Sequence, residues 1–80
     1  MRRLEGTRVL VVGLGRSGEA AATFLAARGA RVSATDAKAE SALGNVAEKL
    51  RSLGVGLHLG APDPGVFLNQ DLIVVSPGVP

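Results

Sequence analysis

The sequence of 80 residues contains no cysteine, so neither a disulfide framework nor a thiolate metal site can form. Its single histidine, His58, excludes a site built from several imidazoles as well. Its aromatic residues are two phenylalanines, too few to stack the bases of a nucleic acid. The net charge of +2 comes from basic residues scattered along the chain. We therefore expect neither a metal site nor a nucleic-acid partner.

Long hydrophobic runs are also absent. The longest uninterrupted apolar runs, residues 9–12 and 72–75, fall far short of the roughly 20 residues that span a bilayer. The pair Arg2 and Arg3 is not followed by the longer apolar region and small-residue cleavage site of a signal peptide. The sequence therefore predicts no membrane partner and a cytoplasmic location.

Glycine, in contrast, is abundant, with eleven residues in the chain of 80, about twice the average usage. The glycines have no fixed period and are accompanied by only four prolines, which excludes a collagenous or low-complexity chain. The length corresponds to one small domain. Each glycine therefore needs a reason that belongs to its own position.

Hydrophobic patterning predicts strands that alternate with helices. The first predicted strand has an uninterrupted apolar centre at residues 9–12. Such a run is typical of a strand buried on both faces, as in the centre of a parallel sheet. The first helix has a face of small residues, and the second has an apolar stripe that ends before Gly54. That stripe consists of Leu43, Val46, Ala47, Leu50 and Leu53. The predicted strands are residues 7–12, 31–35, 55–59 and 71–75; the helices lie within 17–28 and 43–53; and a connection with at most one helical turn covers 60–69.

This order of elements is half of a doubly wound α/β fold. We expect a Rossmann-like parallel sheet with strand order 3-2-1-4 and right-handed crossovers. Both full helices then lie on one face of the sheet, and only the connection at residues 60–69 remains to cover the other. We therefore expect the sheet to be incomplete at its C-terminal end.

A G-x-G-x-x-G motif connects the first strand to the first helix, with Gly13, Gly15 and Gly18 as its glycines. Gly13 suits a tight turn, Gly15 lets the backbone approach a phosphate, and Gly18 lets the helix pack closely. The start of the helix adds free N–H groups and a partial positive charge. The motif predicts a phosphate or nucleotide site in which Arg16 and Ser17 also take part. A purely structural turn is the alternative for the glycines, and a helix N-cap is the alternative for Ser17.

Polar residues follow the second and fourth predicted strands. Asp36 stands where dinucleotide-binding folds place an acid that accepts hydrogen bonds from the ribose hydroxyl groups. The alternative is an aspartate that simply ends a strand in a solvated loop. Lys38 would reach a phosphate or extend into solvent. Ser76, Pro77 and Gly78 lie at the switch point of the sheet, where ligands bind, and a generic strand-ending turn is the alternative. The chain has no G-x-x-x-x-G-K-[ST] loop and no nucleophile with a partner base, so we expect no catalytic residue.

Four segments together resemble one family: residues 11–18, residues 29–32, Asp36 and residues 71–80. They are similar to the N-terminal domain of the Mur ligases, and within that family to the branch that adds D-glutamate to the peptidoglycan precursor. The resemblance covers essentially the whole chain. The most specific feature is the combination of the glycine loop with the sequence Ser-Pro-Gly-Val-Pro at the end of the fourth strand.

The resemblance implies that residues 1–80 bind the UDP part of UDP-MurNAc-L-Ala. It places Gly15, Arg16 and Ser17 near the diphosphate and uridine, and Asp36 and Lys38 near the uracil. It also places residues 76–78 near the ribose and diphosphate. Arg16 and Lys38 occupy positions at which the family varies.

The resemblance further implies that the complete enzyme uses ATP and Mg ions in a central ATPase domain and a C-terminal domain, both absent from this segment. The segment itself is expected to bind no cofactor and to have the other domains of its protein as partners. One alternative is an NAD-binding Rossmann module of a dehydrogenase or regulatory protein. Another is a folding fragment that binds no ligand.

Overall fold

The computed structural model describes residues 3–60 and 64–76. Strands and helices alternate along the chain, as the hydrophobic patterning predicts. Strand boundaries agree with the predictions to within one residue. The elements are β1 (Arg8–Val12), α1 (Arg16–Ala27), β2 (Arg31–Asp36), α2 (Glu40–Leu43), α3 (Asn45–Ser52), β3 (Gly56–Leu59), a short 3-10 helix (Pro64–Phe67) and β4 (Leu72–Val75).

The four strands form one parallel sheet in the order β3-β2-β1-β4. At the centre, Val9 of β1 is aligned with Val32 of β2 and Leu72 of β4. The Rossmann-like arrangement and the strand order predicted from the sequence are confirmed. Because all strands run in one direction, the loops that follow β1, β2 and β4 meet at one edge of the sheet.

The core of the domain lies between β1 and the helices. Val9, Leu10 and Val11 are fully buried, which confirms that β1 is covered on both faces. Alternate residues of a strand point to opposite faces, so Leu10 lies on the face away from Val9 and Val11. The cluster on the helical side consists of Val9, Val11, Leu14, Ala22, Leu25, Val32, Ala34, Leu50 and Val55.

Helix α1 follows its sequence pattern. Its buried residues are Gly18, Ala22 and Leu25, the small-residue face expected to lie against the sheet. After the helix ends at Ala27, Gly29 adopts φ +85°, a left-handed conformation that glycine adopts without steric cost.

The second predicted helix is wrong in two respects. Gly44 adopts φ +58° and divides the segment into α2 and α3, because an α-helix cannot continue through that backbone conformation. Ala47 and Leu50 are buried as expected, but Leu53 is 45% exposed. Leu53 is the residue that caps the end of α3, so its side chain no longer follows the helical stripe.

The face of the sheet opposite the helices is poorly covered next to β4. Ile73 and Val75 lie on the same face as Leu10 and Val12, and they are 45% and 66% exposed. The connection before β4 contains the single short helical turn expected, but Phe67 and Leu68 are themselves exposed. Within the described part of the chain, β4 pairs only with β1. We refer to Ile73 and Val75 as the open apolar patch.

Candidate functional site

The loop between β1 and α1 begins with Gly13 in a conformation that favours glycine, with φ +93°. Its N–H donates to the carbonyl oxygen of Thr35 at the end of β2, with an N···O distance of 2.8 Å. The first glycine of the motif therefore makes the tight turn expected of it, and the turn is attached to the neighbouring strand.

Gly18 lies against the backbone of the same turn. A Cβ atom placed on Gly18 would lie 1.8 Å from the carbonyl oxygen of Gly13 and 3.5 Å from the Cβ of Ser76. Real Cβ atoms do not approach a backbone oxygen so closely. The close packing predicted for the third glycine is therefore present, and it also includes the residue after β4.

Gly15, in contrast, faces open space. A Cβ on this residue would meet no atom within 4 Å, and its backbone is extended with φ −71° and ψ −172°. It is the N-cap of α1, and its carbonyl oxygen accepts the first hydrogen bond of the helix, from the N–H of Glu19. Packing within the described protein does not explain a glycine here, whereas the approach of a ligand to the backbone would.

The interpretation of Ser17 as the N-cap is wrong. Gly15 occupies the N-cap, and Ser17 is the second residue of α1, with an exposed side chain that makes no capping hydrogen bond. Among residues 3–60 and 64–76, no acceptor is found for the N–H groups of Arg16 and Ser17. These groups start a helix of 12 residues, so they combine free donors with the positive end of the helix dipole.

The side chain of Arg16 is exposed and lines a shallow cavity of about 490 Å³ along the outer side of α1. Glu19 and Lys49 line the same cavity and form an ion pair at 2.9 Å. A second shallow cavity, of about 550 Å³, lies beside Arg8 and Arg31, where β1 and β2 begin, and no residue of the glycine loop lines it. The part of Arg16 that is available to a ligand at the glycine loop is therefore its backbone N–H, because its side chain is exposed and not enclosed in a pocket.

Asp36, the last residue of β2, is attached to the glycine loop. Its Oδ2 accepts the N–H of Leu14 at 2.7 Å, and its Oδ1 accepts the N–H of Lys38 at 2.9 Å. Partial burial opposes the charged carboxylate, but the hydrogen bonds from Lys38 and Leu14 and the positive charge of Lys38 outweigh it and lower the pKa of Asp36. Asp36 is thus an anion bound by backbone donors, and not a solvated strand end.

Lys38 has an exposed side chain, and its backbone lies between the end of β2 and the end of β3. The N–H of Gly60, just after β3, lies 3.1 Å from both the carbonyl oxygen of Lys38 and that of Asp36. The turn after β2 is therefore fixed by the end of β3 as well as by the carboxylate of Asp36.

Ser76 lies directly after β4 and is 4% exposed. Its N–H donates to the carbonyl oxygen of Val12 at 2.9 Å, which places it beside the turn at Gly13 and Gly18. Pro77 and Gly78, the other residues predicted at this edge, lie outside the described residues. The structure therefore brings Ser76 and the glycine loop together, as the strand order predicts.

Two backbone contacts at the candidate site involve residues that were not predicted from the sequence. Leu14 supplies the N–H that Asp36 binds, and Thr35 supplies the carbonyl oxygen that Gly13 binds. Both contacts use backbone atoms, which a sequence motif does not identify. The only sequence signal is the adjacency of β1 and β2 in the predicted sheet.

The described residues contain neither a metal-binding cluster nor a membrane-spanning helix. No group of three or more His, Cys, Asp or Glu side chains lies together in a way that could hold a metal ion. No helix among these residues is long and apolar enough to cross a membrane.

Comparison with known proteins identifies the family. The family model described as "Mur ligase MurD-like, N-terminal domain" matches residues 7–80. The chain belongs to the MurD-like Mur ligase family. The family resemblance recognised from the glycine loop and the segment at residues 71–80 is confirmed.

Three curated relatives of this MurD-like chain carry the name UDP-N-acetylmuramoylalanine–D-glutamate ligase. The protein of Geotalea daltonii is 53% identical over 77 residues, and that of Geotalea uraniireducens is 55% identical over 73 residues. The protein of Myxococcus xanthus is 51% identical over 77 residues. These matches cover 96%, 91% and 96% of the chain, but only 17%, 16% and 17% of the respective relatives. The chain therefore spans about a sixth of the length of these relatives.

Proposed function

We propose that this MurD-like domain binds the UDP part of UDP-MurNAc-L-Ala. In this proposal residues 1–80 are the N-terminal part of a longer cytoplasmic ligase that adds D-glutamate to the peptidoglycan precursor with the use of ATP. The domain holds the nucleotide end of the substrate, and the domains that follow carry out the chemistry. The family membership and the names of the relatives support this assignment.

The observation that carries the proposal is the open position of Gly15. A phosphate can approach its backbone because no side chain stands there and no other part of the described protein fills the space. The N–H groups of Arg16 and Ser17 and the helix dipole then act on the same anion. A diphosphate needs several such donors, and a helix N-terminus supplies them without any basic side chain.

The ends of the neighbouring strands extend the site beyond the phosphates. On one side of the glycine loop, Asp36 and Lys38 form the turn that we assign to the uracil. On the other side, Ser76 begins the segment that we assign to the ribose and diphosphate. We include Pro77 and Gly78 in this segment on the sequence alone.

The residues of this chain do not fit ATP and Mg. The sequence lacks the Gly-x-x-x-x-Gly-Lys-[Ser/Thr] loop that binds ATP phosphates, and no metal-binding cluster is present where the structure is described. We therefore assign no step of the ligation to these residues. Their part is to bind and orient the UDP group, so that the carboxylate at the other end of the substrate is presented to the remaining domains.

NAD is the competing ligand, because the same glycine loop serves many dehydrogenases. In those proteins the acid after the second strand accepts the ribose hydroxyl groups. Here both carboxylate oxygens of Asp36 already accept backbone N–H groups, at 2.7 and 2.9 Å. Each oxygen keeps a further lone pair, so Asp36 alone does not distinguish the two ligands. The family match and the names of the relatives are what favour the UDP group over NAD.

Calorimetric titration of the full-length protein with UDP-MurNAc-L-Ala, UDP and NADH tests the proposal. We expect both uridine compounds to bind and NADH to show no saturable binding. Tight binding of NADH without binding of the uridine compounds would instead support the NAD module. If none of the three binds, the domain is a folding unit without a nucleotide site. We also expect the reading frame beyond residue 80 to encode a glycine-rich Gly-Lys-[Ser/Thr] loop, and its absence would remove the ligase assignment.

A further inference from the structure

Two consecutive N–H groups of the glycine loop are bound by the end of β2. Gly13 donates to the carbonyl oxygen of Thr35 at 2.8 Å, and Leu14 donates to Oδ2 of Asp36 at 2.7 Å. The first bond is the ordinary continuation of the sheet. The second is made by a side chain, so it depends on the identity of one residue.

The second oxygen of the same carboxylate binds the next loop. Oδ1 of Asp36 accepts the N–H of Lys38 at 2.9 Å, and Gly60 connects this turn to the end of β3. Asp36 therefore joins the loop after β1 to the loop after β2. Hydrogen bonds to an ionised acceptor are stronger than neutral ones. The two donors are backbone N–H groups that do not titrate, so only the protonation of Asp36 itself changes these bonds.

The bond to Leu14 determines which donors of the loop remain for a ligand. Leu14 is 5% exposed, and its N–H points back to β2. The exposed part of the loop therefore begins at Gly15, where the N–H groups of Arg16 and Ser17 have no acceptor in the described protein. A loop already held in this geometry loses less conformational entropy when a ligand binds.

We propose that Asp36 is a positioning residue that holds the glycine loop in its anion-binding geometry before any ligand arrives. The identity of the ligand rests on the proposed function, but the effect of Asp36 on the loop does not. In this role Asp36 acts on a bound diphosphate through the N–H of Leu14 and the loop that follows it. A carboxylate in direct contact with a diphosphate would repel it, whereas Asp36 acts on the loop through a backbone hydrogen bond that its negative charge strengthens.

Asp36→Asn is the informative variant, because it keeps the shape of the side chain but leaves only one oxygen to accept two N–H groups. Asp71→Asn is a matched control, since Oδ2 of Asp71 accepts the N–H of Arg8 at 2.8 Å at the opposite end of β1. Both variants remove the charge of a carboxylate that accepts a backbone N–H, and Asp71→Asn also removes the ion pair with the Arg8 side chain at 3.2 Å. Of the two carboxylates, only that of Asp36 adjoins the glycine loop.

Two measurements on the full chain separate the possible roles. We expect Asp36→Asn to speed hydrogen exchange at the Leu14 amide at neutral pH by about tenfold more than the change in global stability accounts for. We also expect the variant to weaken UDP binding by about tenfold or more. Asp71→Asn should lose stability to a similar extent, while its affinity for UDP and its exchange at Leu14 stay within about twofold of the wild type.

The inference is overturned if Asp36→Asn weakens UDP binding while exchange at Leu14 remains as in the wild type, because the loss of affinity would then not depend on the hydrogen bond to Leu14. If the variant does not fold, ligand-free wild-type protein decides the question. A scalar coupling across the hydrogen bond from the Leu14 nitrogen to the Asp36 carboxyl carbon is expected, and its absence would contradict the inference. Failure of the wild type to bind UDP would refute the proposed function, and the Leu14 amide would still report on Asp36.

Discussion

Gly18 packs so closely on Gly13 that a Cβ atom on Gly18 would lie 1.8 Å from the Gly13 carbonyl oxygen. Three residues earlier, a Cβ on Gly15 would meet no atom within 4 Å. Two glycines of one motif are therefore required for opposite reasons. Gly18 is required by contacts within the protein, and the open space at Gly15 is explained by a ligand.

Gly18→Ala is expected to destabilise the fold strongly. The added methyl group meets backbone rather than a flexible side chain, so α1 must move away from the turn and from Ser76. Overpacking in a core costs about 1–3 kcal/mol, and we expect the upper end of this range. Chemical denaturation of the wild type and the variant measures the loss. Unchanged stability would contradict the close packing of Gly18 on the Gly13 backbone.

Gly15→Val should cost little stability but should remove UDP binding. Its backbone φ of −71° suits a β-branched residue, and the side chain enters empty space, so the loss of stability should stay near the roughly 1 kcal/mol of a poorer N-cap. The same side chain occupies the place that the phosphate needs, so UDP binding should be abolished.

Gly56→Val is a suitable control for Gly15→Val. It also replaces a glycine that has no positive φ, at the start of β3, where the nearest atom to an added Cβ is the Ser33 hydroxyl at 3.6 Å. This control should bind UDP as the wild type does. Parallel losses of stability and affinity in Gly15→Val would show that Gly15 is required by the fold instead.

The carboxylate of Asp36 predicts a pH dependence of stability. The pKa of Asp36 is lower in the folded protein than its ordinary value, so folding favours the anion. This contribution is fully present above the unfolded-state pKa of about 4, and it is lost as the pH falls through the lower folded-state pKa. The difference in urea midpoint between the wild type and Asp36→Asn should be constant from pH 7 to about 5 and shrink below pH 4. A difference that grows on acidification would contradict the assigned direction of the shift.

The sequence predicted the sheet because its strongest signals are periodic. Four short apolar segments alternate with helical stripes, and the rule of right-handed crossovers then leaves one strand order. The roles of Gly13 and Gly18 could be predicted for a similar reason, because each depends on a backbone geometry that recurs wherever a strand turns into a phosphate-binding helix.

The unpredicted features depend on particular local contacts. Gly44 divides the second predicted helix because it takes a positive φ. The sequence does not reveal this break, because many helices tolerate a glycine inside their pattern. The hydrogen bond from Leu14 to Asp36 has a backbone donor, so no sequence pattern marks it. The open position of Gly15 depends on where every neighbouring atom lies, which only three-dimensional coordinates give.

The open apolar patch bears on the length of the protein. Parallel sheets are normally covered on both faces, yet Val75 is 66% exposed and β4 has a free edge within the described residues. We propose that chain following residue 80 in a longer protein covers this patch, since the relatives are about six times as long as this chain. Val75→Thr keeps the β-branched shape and adds one hydroxyl group. It should change the stability of the 80-residue chain by less than about 0.5 kcal/mol, because the hydroxyl remains in water.

In the full-length protein the same substitution should cost about 1–3 kcal/mol, because the hydroxyl would then be buried without a designed partner. Val11→Thr is the matched control, since Val11 is fully buried already and should be costly at either length. Denaturation of both variants in both chains measures the four values. If Val75→Thr costs equally little at both lengths, the segment beyond residue 80 does not cover the patch, and the exposed side of β4 is a true surface of the protein.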